Sequence, residues 1–95
     1  LATPALVALM ENAAMLAVAA ELPEGATTVG VKMDMTHVRP SGGGEEVYAE
    51  ATLVEVEGRK LTFSLVARDS VDVIGEGTHI RYIVDRTKFL SKLKG

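Results

Sequence analysis

The chain has 95 residues, of which 47% are hydrophobic and 24% charged, with a formal net charge of −3. This length and composition predict one folded domain over residues 1–95, with a modest core and no disorder. The acidic balance gives no electrostatic basis for binding nucleic acid or an anionic membrane. Since the sequence contains no cysteine, disulfide and thiolate chemistry are excluded. That composition is compatible with a reducing compartment, and we expect a cytoplasmic protein.

The first predicted element is an apolar helix with one charged side chain near its middle. Residues 4–20 read PALVALMENAAMLAVAA, in which only Glu11 and Asn12 carry polar side chains. Thr3 is expected to cap the N-terminus of this helix, and residues 22–25 are expected to end it. A helix that is apolar on all sides is normally enclosed by other structure. It is also too short, and too polar at its centre, to span a membrane.

Four strands are predicted after the helix, because the hydrophobic pattern changes there to a period of two. The predicted strands cover residues 28–37, 46–56, 61–69 and 73–84, with a glycine-rich loop at 39–44, a tight turn at 57–60 and a short basic helix at 88–93. One face of the first strand is expected to carry Val29, Val31, Met33 and Met35, and one face of the third Leu61, Phe63, Leu65 and Ala67. This order predicts an α+β fold with an antiparallel sheet packed on the helix. Such a sheet covers only one side of the helix, so we expect a homodimer or further upstream residues to cover the rest.

Four stretches of the chain resemble the hotdog-fold acyl-CoA thioesterases, and within that superfamily the fluoroacetyl-CoA thioesterase-like group. They are residues 2–14 with ATP and LMENAA, residues 29–44 with VGV, TH and the glycine loop, residues 56–61 (VEGRKL) and residues 74–81 (IGEGTHIR). The resemblance implies a hotdog fold, in which the antiparallel sheet wraps around one long helix. It further implies a homodimer with active sites at the subunit interface. The implied activity is acyl-CoA hydrolysis, with no cofactor beyond the coenzyme A of the substrate. No metal is expected, because two histidines at such a separation in the sequence do not form a ligand cluster.

Carried over residue by residue, the resemblance implies catalytic roles for Thr3, Glu11 and His37 and places Gly30 near the acyl pocket. The upstream strand and the aromatic-bearing lid segment of the fluoroacetyl enzyme have no counterpart in this sequence. We therefore expect a small acyl-CoA other than fluoroacetyl-CoA as the substrate. Whether natural residues precede Leu1 stays open at this point.

The position of Glu11 suits hydrolysis, because a carboxylate surrounded by apolar groups is a stronger base than one in water. Glu11 either activates a water molecule or attacks the thioester carbonyl directly, and the sequence does not decide between these. A structural explanation also exists, in which Glu11 pairs across a dimer or accepts a hydrogen bond from the backbone.

His37 and Thr3 are expected to support Glu11. If no bulge intervenes, the ring of His37 lies on the face of Val29, Val31, Met33 and Met35, towards the helix, and its imidazole exchanges protons near neutral pH. Thr3 is fully explained as a helix cap, and it lies about 12 Å from Glu11 along an ideal helix. A contact between Thr3 and Glu11 therefore needs a site shared between subunits or a non-helical start.

Other polar residues carry weaker expectations. Gly30 lies within a strand, where glycine is disfavoured and marks the close approach of a ligand or of another backbone. His79 follows two glycines that look like bulge or curvature positions in a strongly bent sheet, and a structural role is favoured for it. Arg39, Arg59, Lys60 and Arg86 are general candidates for coenzyme A phosphates. The alternative function is a non-catalytic acyl-CoA-binding or sensing module on the same fold. A hotdog hydratase is disfavoured, because Glu11 and Asn12 have no neighbouring histidine.

Overall fold

One helix and four antiparallel strands make up the structure, a computed structural model that describes residues 2–39 and 46–87. The elements are α1 (Thr3–Ala19), β1 (Ala26–His37), β2 (Tyr48–Glu57), β3 (Lys60–Arg68) and β4 (Val73–Asp85). The strands form one sheet in the order β1-β4-β3-β2, with α1 packed against it. Each boundary lies within two residues of its prediction, and the α+β arrangement is confirmed. Most of the predicted glycine loop and the predicted helix at 88–93 lie outside the described residues.

The core lies between one stripe of α1 and the facing side of the sheet. The buried helix residues recur every four positions and are Leu6, Met10, Ala14 and Val18. The buried residues of β3 alternate as predicted and are Leu61, Phe63, Leu65 and Ala67. Burial of each large apolar side chain contributes about 1.5–3 kcal/mol, so these two stripes hold the helix on the sheet.

The opposite side of α1 is exposed in the single chain. Leu16 is 61% exposed and Met15 is 39% exposed, although both are large apolar side chains. The sheet therefore covers one side of the helix, as expected from four strands. Within the described residues, no helix has both the length and the apolar character needed to cross a membrane.

The N-terminus of α1 differs from the prediction. Ala2 occupies the cap position, and its side chain makes no capping hydrogen bond. Thr3 is already helical, and the backbone N–H of Leu6 donates to the carbonyl of Ala2 at 3.0 Å. The expected capping role of Thr3 is therefore wrong, because the helix begins one residue earlier and the hydroxyl of Thr3 is directed elsewhere.

A β-bulge divides β1. Its register against β4 shifts between Gly30 and Lys32, which leaves Val31 without an opposite residue. Because the extra residue reverses the alternation of side chains, Val29 lies on the outer face while the two methionines after the bulge face the helix. The expected grouping of all four side chains on one face is therefore wrong for the half of the strand before the bulge.

The glycines of β4 are sites of close approach and not of bulging. The register irregularity lies beside them, at Ile74. A Cβ atom added to Gly75 would lie 2.9 Å from Cδ2 of Leu6, and one added to Gly77 would lie 2.6 Å from Cα of Met35. These glycines allow the helix and β1 to pack directly against the backbone of β4.

Candidate functional site

Three polar side chains meet over Gly30 on the helix side of the sheet. A Cβ atom added to Gly30 would lie 3.0 Å from Cε1 of His79, 3.2 Å from Nη1 of Arg81 and 3.3 Å from Oε2 of Glu11. Glu11 reaches this point from the middle of α1, while Arg81 lies directly opposite Gly30 in the sheet. Since any side chain at Gly30 would press on these groups, the glycine provides the space in which they converge.

Arg81 is a buried arginine held by its neighbours, with only 7% of its surface exposed. Its Nε donates to Oγ1 of Thr28 at 2.8 Å and its Nη2 to the carbonyl of Thr28 at 2.9 Å. Burial lowers the pKa of Arg81 below its ordinary value, while the carboxylate of Glu11 acts to raise it. A guanidinium remains charged in proteins, so Arg81 supplies a fixed positive charge beside Glu11.

Glu11 is half-buried and borders solvent on the uncovered side of the helix. It lines a shallow cavity of about 300 Å³ together with Ala8, Asn12, Met15 and Arg81. The carboxylate is therefore within reach of a ligand placed against this side of α1.

His79 lies on the same face and is 1% exposed. Its Nδ1 is 2.7 Å from the carbonyl oxygen of Lys32, and its Nε2 is 3.2 Å from Nη1 of Arg81. Its ring centroid lies 6.5 Å from that of Phe63. The imidazole thus belongs to the group around Gly30.

Thr3 and His37 form a second polar pair. Oγ1 of Thr3 is 2.9 Å from Nδ1 of His37. The bulge of β1 lies before the two methionines, so His37 shares their face towards the helix, whereas its expected alignment with Val29 is wrong. Its Nε2 is buried and has no hydrogen-bond partner among the residues that the structure describes. This nitrogen remains available for a proton or for a ligand.

A single chain does not bring all four predicted site residues together. It places Thr3 against His37, and Glu11 against Gly30. Along the helix axis, the backbones of Thr3 and Glu11 are about 12 Å apart. On β4, Gly75 lies opposite His37 and Arg81 lies opposite Gly30, so the backbones of His37 and Gly30 are about 20 Å apart along the sheet.

Sequence reasoning missed Arg81 and Thr28. The available signal was parity: Arg81 follows His79 by two residues on β4, so the two side chains share the face of Gly75 and Gly77. An arginine on the buried face of a strand needs partners, and that requirement marks a candidate site. Arg39, considered for coenzyme A phosphates, instead forms an ion pair with Asp69 at 2.6 Å.

Residues 1–87 match the family model described as fluoroacetyl-CoA-specific thioesterase. The chain is also 39% identical over 93 residues to the fluoroacetyl-CoA thioesterase of Streptantibioticus cattleyicolor, covering 98% of this chain and 67% of that protein.

Two solved structures identify the fold. One is a mutant of the fluoroacetyl-CoA-specific thioesterase FlK in complex with fluoroacetate and CoA. It has a TM-score of 0.93 and 39% identity, covering 98% of this chain and 73% of that one. The other is a hot-dog-like protein from Thermanaerovibrio acidaminovorans, with a TM-score of 0.91 and 26% identity, covering 98% and 69%. The helix and four-stranded antiparallel sheet are therefore those of a hotdog fold.

Proposed function

Because this chain belongs to the fluoroacetyl-CoA-specific thioesterase family, we propose that it hydrolyses the thioester of a small acyl-CoA to the free acid and coenzyme A. The observation that carries the proposal is the meeting of Glu11 and the buried guanidinium of Arg81 in the space left by Gly30. This arrangement places a carboxylate and a fixed positive charge within a few ångströms of one another, beside the cavity that both side chains line.

Glu11 acts as the base or the nucleophile of the reaction. As a base, it removes a proton from water while the water oxygen attacks the thioester carbonyl. As a nucleophile, it attacks the carbonyl itself and forms an anhydride that water then hydrolyses. On either route the carbon–sulfur bond breaks and the thiolate of coenzyme A takes up a proton.

His37 supplies and accepts protons in this scheme, with Thr3 holding its ring. The hydrogen bond between Thr3 and Nδ1 fixes the orientation of the imidazole and leaves Nε2 without a partner among the described residues. Because an imidazole ring nitrogen both accepts and donates a proton, His37 can serve the attack as well as the departure of the thiolate. Hydrolysis needs only water as a co-reactant, so the proposal requires no metal and no cofactor.

We further propose that two copies of the chain complete each site. The separation of the Thr3–His37 pair from Glu11 within one chain supports a site that takes one pair from each subunit. The exposed apolar side of α1, with Met15 and Leu16, supports the packing of a second copy there.

The proposed substrate carries a short acyl group. Three side chains lie within 3.3 Å of the position of a Cβ at Gly30, which leaves little volume for an acyl chain at that point. Since FlK has been solved with fluoroacetate and CoA, fluoroacetyl-CoA is one of the short acyl-CoAs to be tested. We also propose a cytoplasmic setting, with which the lack of cysteine is compatible.

Release of free thiol from acyl-CoAs of increasing chain length tests the proposal. We expect turnover of short acyl-CoAs by the wild type and a loss of about 10²–10⁴-fold in Glu11→Gln, since the amide is neither base nor nucleophile. Glu76→Gln is the matched control, because Glu76 is exposed on the outer face of the sheet.

The control variant should retain wild-type rates. If wild-type protein binds acyl-CoA but releases no thiol, the chain is a binding module and not an enzyme. If Glu11→Gln hydrolyses as fast as wild type, the role proposed for Glu11 is wrong.

A further inference from the structure

The hydrogen bonds of His79 determine where its proton lies. Nδ1 faces the carbonyl oxygen of Lys32, which only accepts hydrogen bonds. Nε2 faces Nη1 of Arg81, which only donates them. Both contacts form at once only if Nδ1 carries the proton and Nε2 presents its lone pair. The two contacts therefore fit the Nδ1–H tautomer of the imidazole.

The surroundings of His79 agree with a neutral ring. On the neighbouring strand, β3 presents the apolar ring of Phe63. On β1, Lys32 offers its backbone carbonyl, while its exposed side chain shares the outer face with Ile80. The facing charged groups are Arg81, on the same strand, and Glu11, on α1. A proton on Nε2 would point directly at the guanidinium and break the hydrogen bond.

The nitrogen that His79 holds is the one nearest to the site. Thr28 accepts hydrogen bonds from Nε and Nη2 of Arg81, on one side of the guanidinium. Nη1 bonds to His79, and the same Nη1 lies 3.2 Å from the Cβ position of Gly30, beside Oε2 of Glu11. His79 is thus the side chain that fixes the corner of Arg81 facing the carboxylate.

We propose that neutral His79 is a positioning residue that orients Arg81 towards Glu11 by accepting a hydrogen bond through Nε2. The proposal rests on the proposed function, because it treats Glu11 as the reacting carboxylate. His79 itself touches neither substrate nor water in this role. Its effect on the reaction passes through the guanidinium.

The tautomer is tested directly by nitrogen-15 NMR of the histidine side chains in the labelled wild-type protein. The chain contains two histidines, so a spectrum of His79→Gln identifies the signals of His79. We expect a protonated Nδ1 and an unprotonated Nε2 at neutral pH. A proton on Nε2, alone or together with one on Nδ1, would overturn the proposal. This readout needs no turnover, so it stands apart from failure of the proposed hydrolysis.

Two variants separate positioning from packing. The amide oxygen of His79→Gln reaches the place of Nε2 and can accept from Arg81. The shorter side chain of His79→Asn reaches only the carbonyl of Lys32. We expect kcat/KM to fall roughly 10- to 100-fold in His79→Asn, as for loss of a hydrogen bond to a charged group, and to recover largely in His79→Gln.

The same change in the Arg81→Met background completes the test. If His79 acts through Arg81, His79→Asn causes no further loss of the residual activity when the guanidinium is absent. Equal losses in both backgrounds would show that His79 acts independently of Arg81, and the proposal would be wrong.

Discussion

Gly30 illustrates how a missing side chain defines a site. The residue is not required for a turn, since its φ is not positive, and it lies inside a strand where glycine weakens the sheet. Glycine is needed here for space, because the ends of three polar side chains lie 3.0–3.3 Å from the point that a Cβ would occupy. The cost in strand stability is thus offset by the arrangement that it permits.

Replacing Gly30 by alanine is expected to lower activity more than stability. The added methyl would meet the far ends of flexible side chains at 3.0–3.3 Å, so the fold can accommodate it by moving them. That movement displaces Glu11 and Arg81 from each other, and we expect kcat/KM to fall about tenfold or more. Thermal melting should change little. Full activity with an unchanged melting temperature would show that the reaction does not depend on the space beside Gly30.

Thr3→Val tests whether the threonine hydroxyl serves His37 or the helix. Because Thr3 makes no capping hydrogen bond, Thr3→Val should not reduce the free energy of unfolding by the roughly 1 kcal/mol that a helix cap contributes. The bond to Nδ1 of His37 disappears, so we expect about a tenfold fall in kcat/KM, recovered in Thr3→Ser. Chemical denaturation and thiol release distinguish the two roles. A large loss of stability with unchanged turnover would support the capping role instead.

At the scale of elements, the ion pair of Arg39 and Asp69 joins the end of β1 to the β3–β4 connection. Nη2 of Arg39 lies 2.6 Å from both carboxylate oxygens of Asp69. Oδ1 of Asp69 also accepts from the backbone N–H groups of Val71 and Asp72, at 2.8 and 2.9 Å. One buried carboxylate therefore organises the turn and fixes the strand that carries His37.

Asp69→Ala is expected to destabilise the fold by about 2–4 kcal/mol. The substitution removes the carboxylate that accepts hydrogen bonds from the two backbone N–H groups of the turn and from the guanidinium of Arg39. Asp69→Asn keeps the acceptor for the backbone and should cost less. Urea unfolding of both variants measures the difference, with Asp34→Asn on the outer face as the control. Equal and small effects of both Asp69 variants would show that the pair contributes little to stability.

The sequence predicted elements better than contacts. The continuous apolar residues of α1 and the alternation of β3 determine their own faces, because each follows a single period. The chain around Val31 alternates in the same way whether or not a bulge is present, so the pattern could not reveal the reversal. The position of Arg81 over Gly30 depends on that bulge and on the register with β4, which are long-range features of the sheet. Thr3 and His37 are 34 residues apart, and their contact likewise appears only in the folded chain.

For the whole molecule, the separation of the two polar pairs makes a complementation experiment informative. Glu11→Gln and His37→Ala are each expected to be inactive as homodimers. A heterodimer purified through two different tags would contain one site with both wild-type residues, if each site combines the two subunits. We expect about half of the wild-type activity per dimer, measured as thiol release.

A co-purified pair of differently tagged Glu11→Gln chains is the control and should remain inactive. No recovery in the heterodimer would mean that each chain uses its own Glu11 and His37. Light scattering on the wild type, with a mass of twice the single chain expected, establishes the assembly on which the experiment depends.

The extra residue at Val31 also sets how this strand can change by insertion or deletion. Loss of Val31 would remove the bulge and bring Gly30 next to Lys32. Gly30 would still lie opposite Arg81, and Lys32 opposite Ile80, so the residues before the bulge would keep both their partners on β4 and their faces. Thr28 and Gly30 would therefore stay beside Arg81 on the helix side. The bulge is thus the point at which β1 can lose one residue while the side chains of the site keep their places.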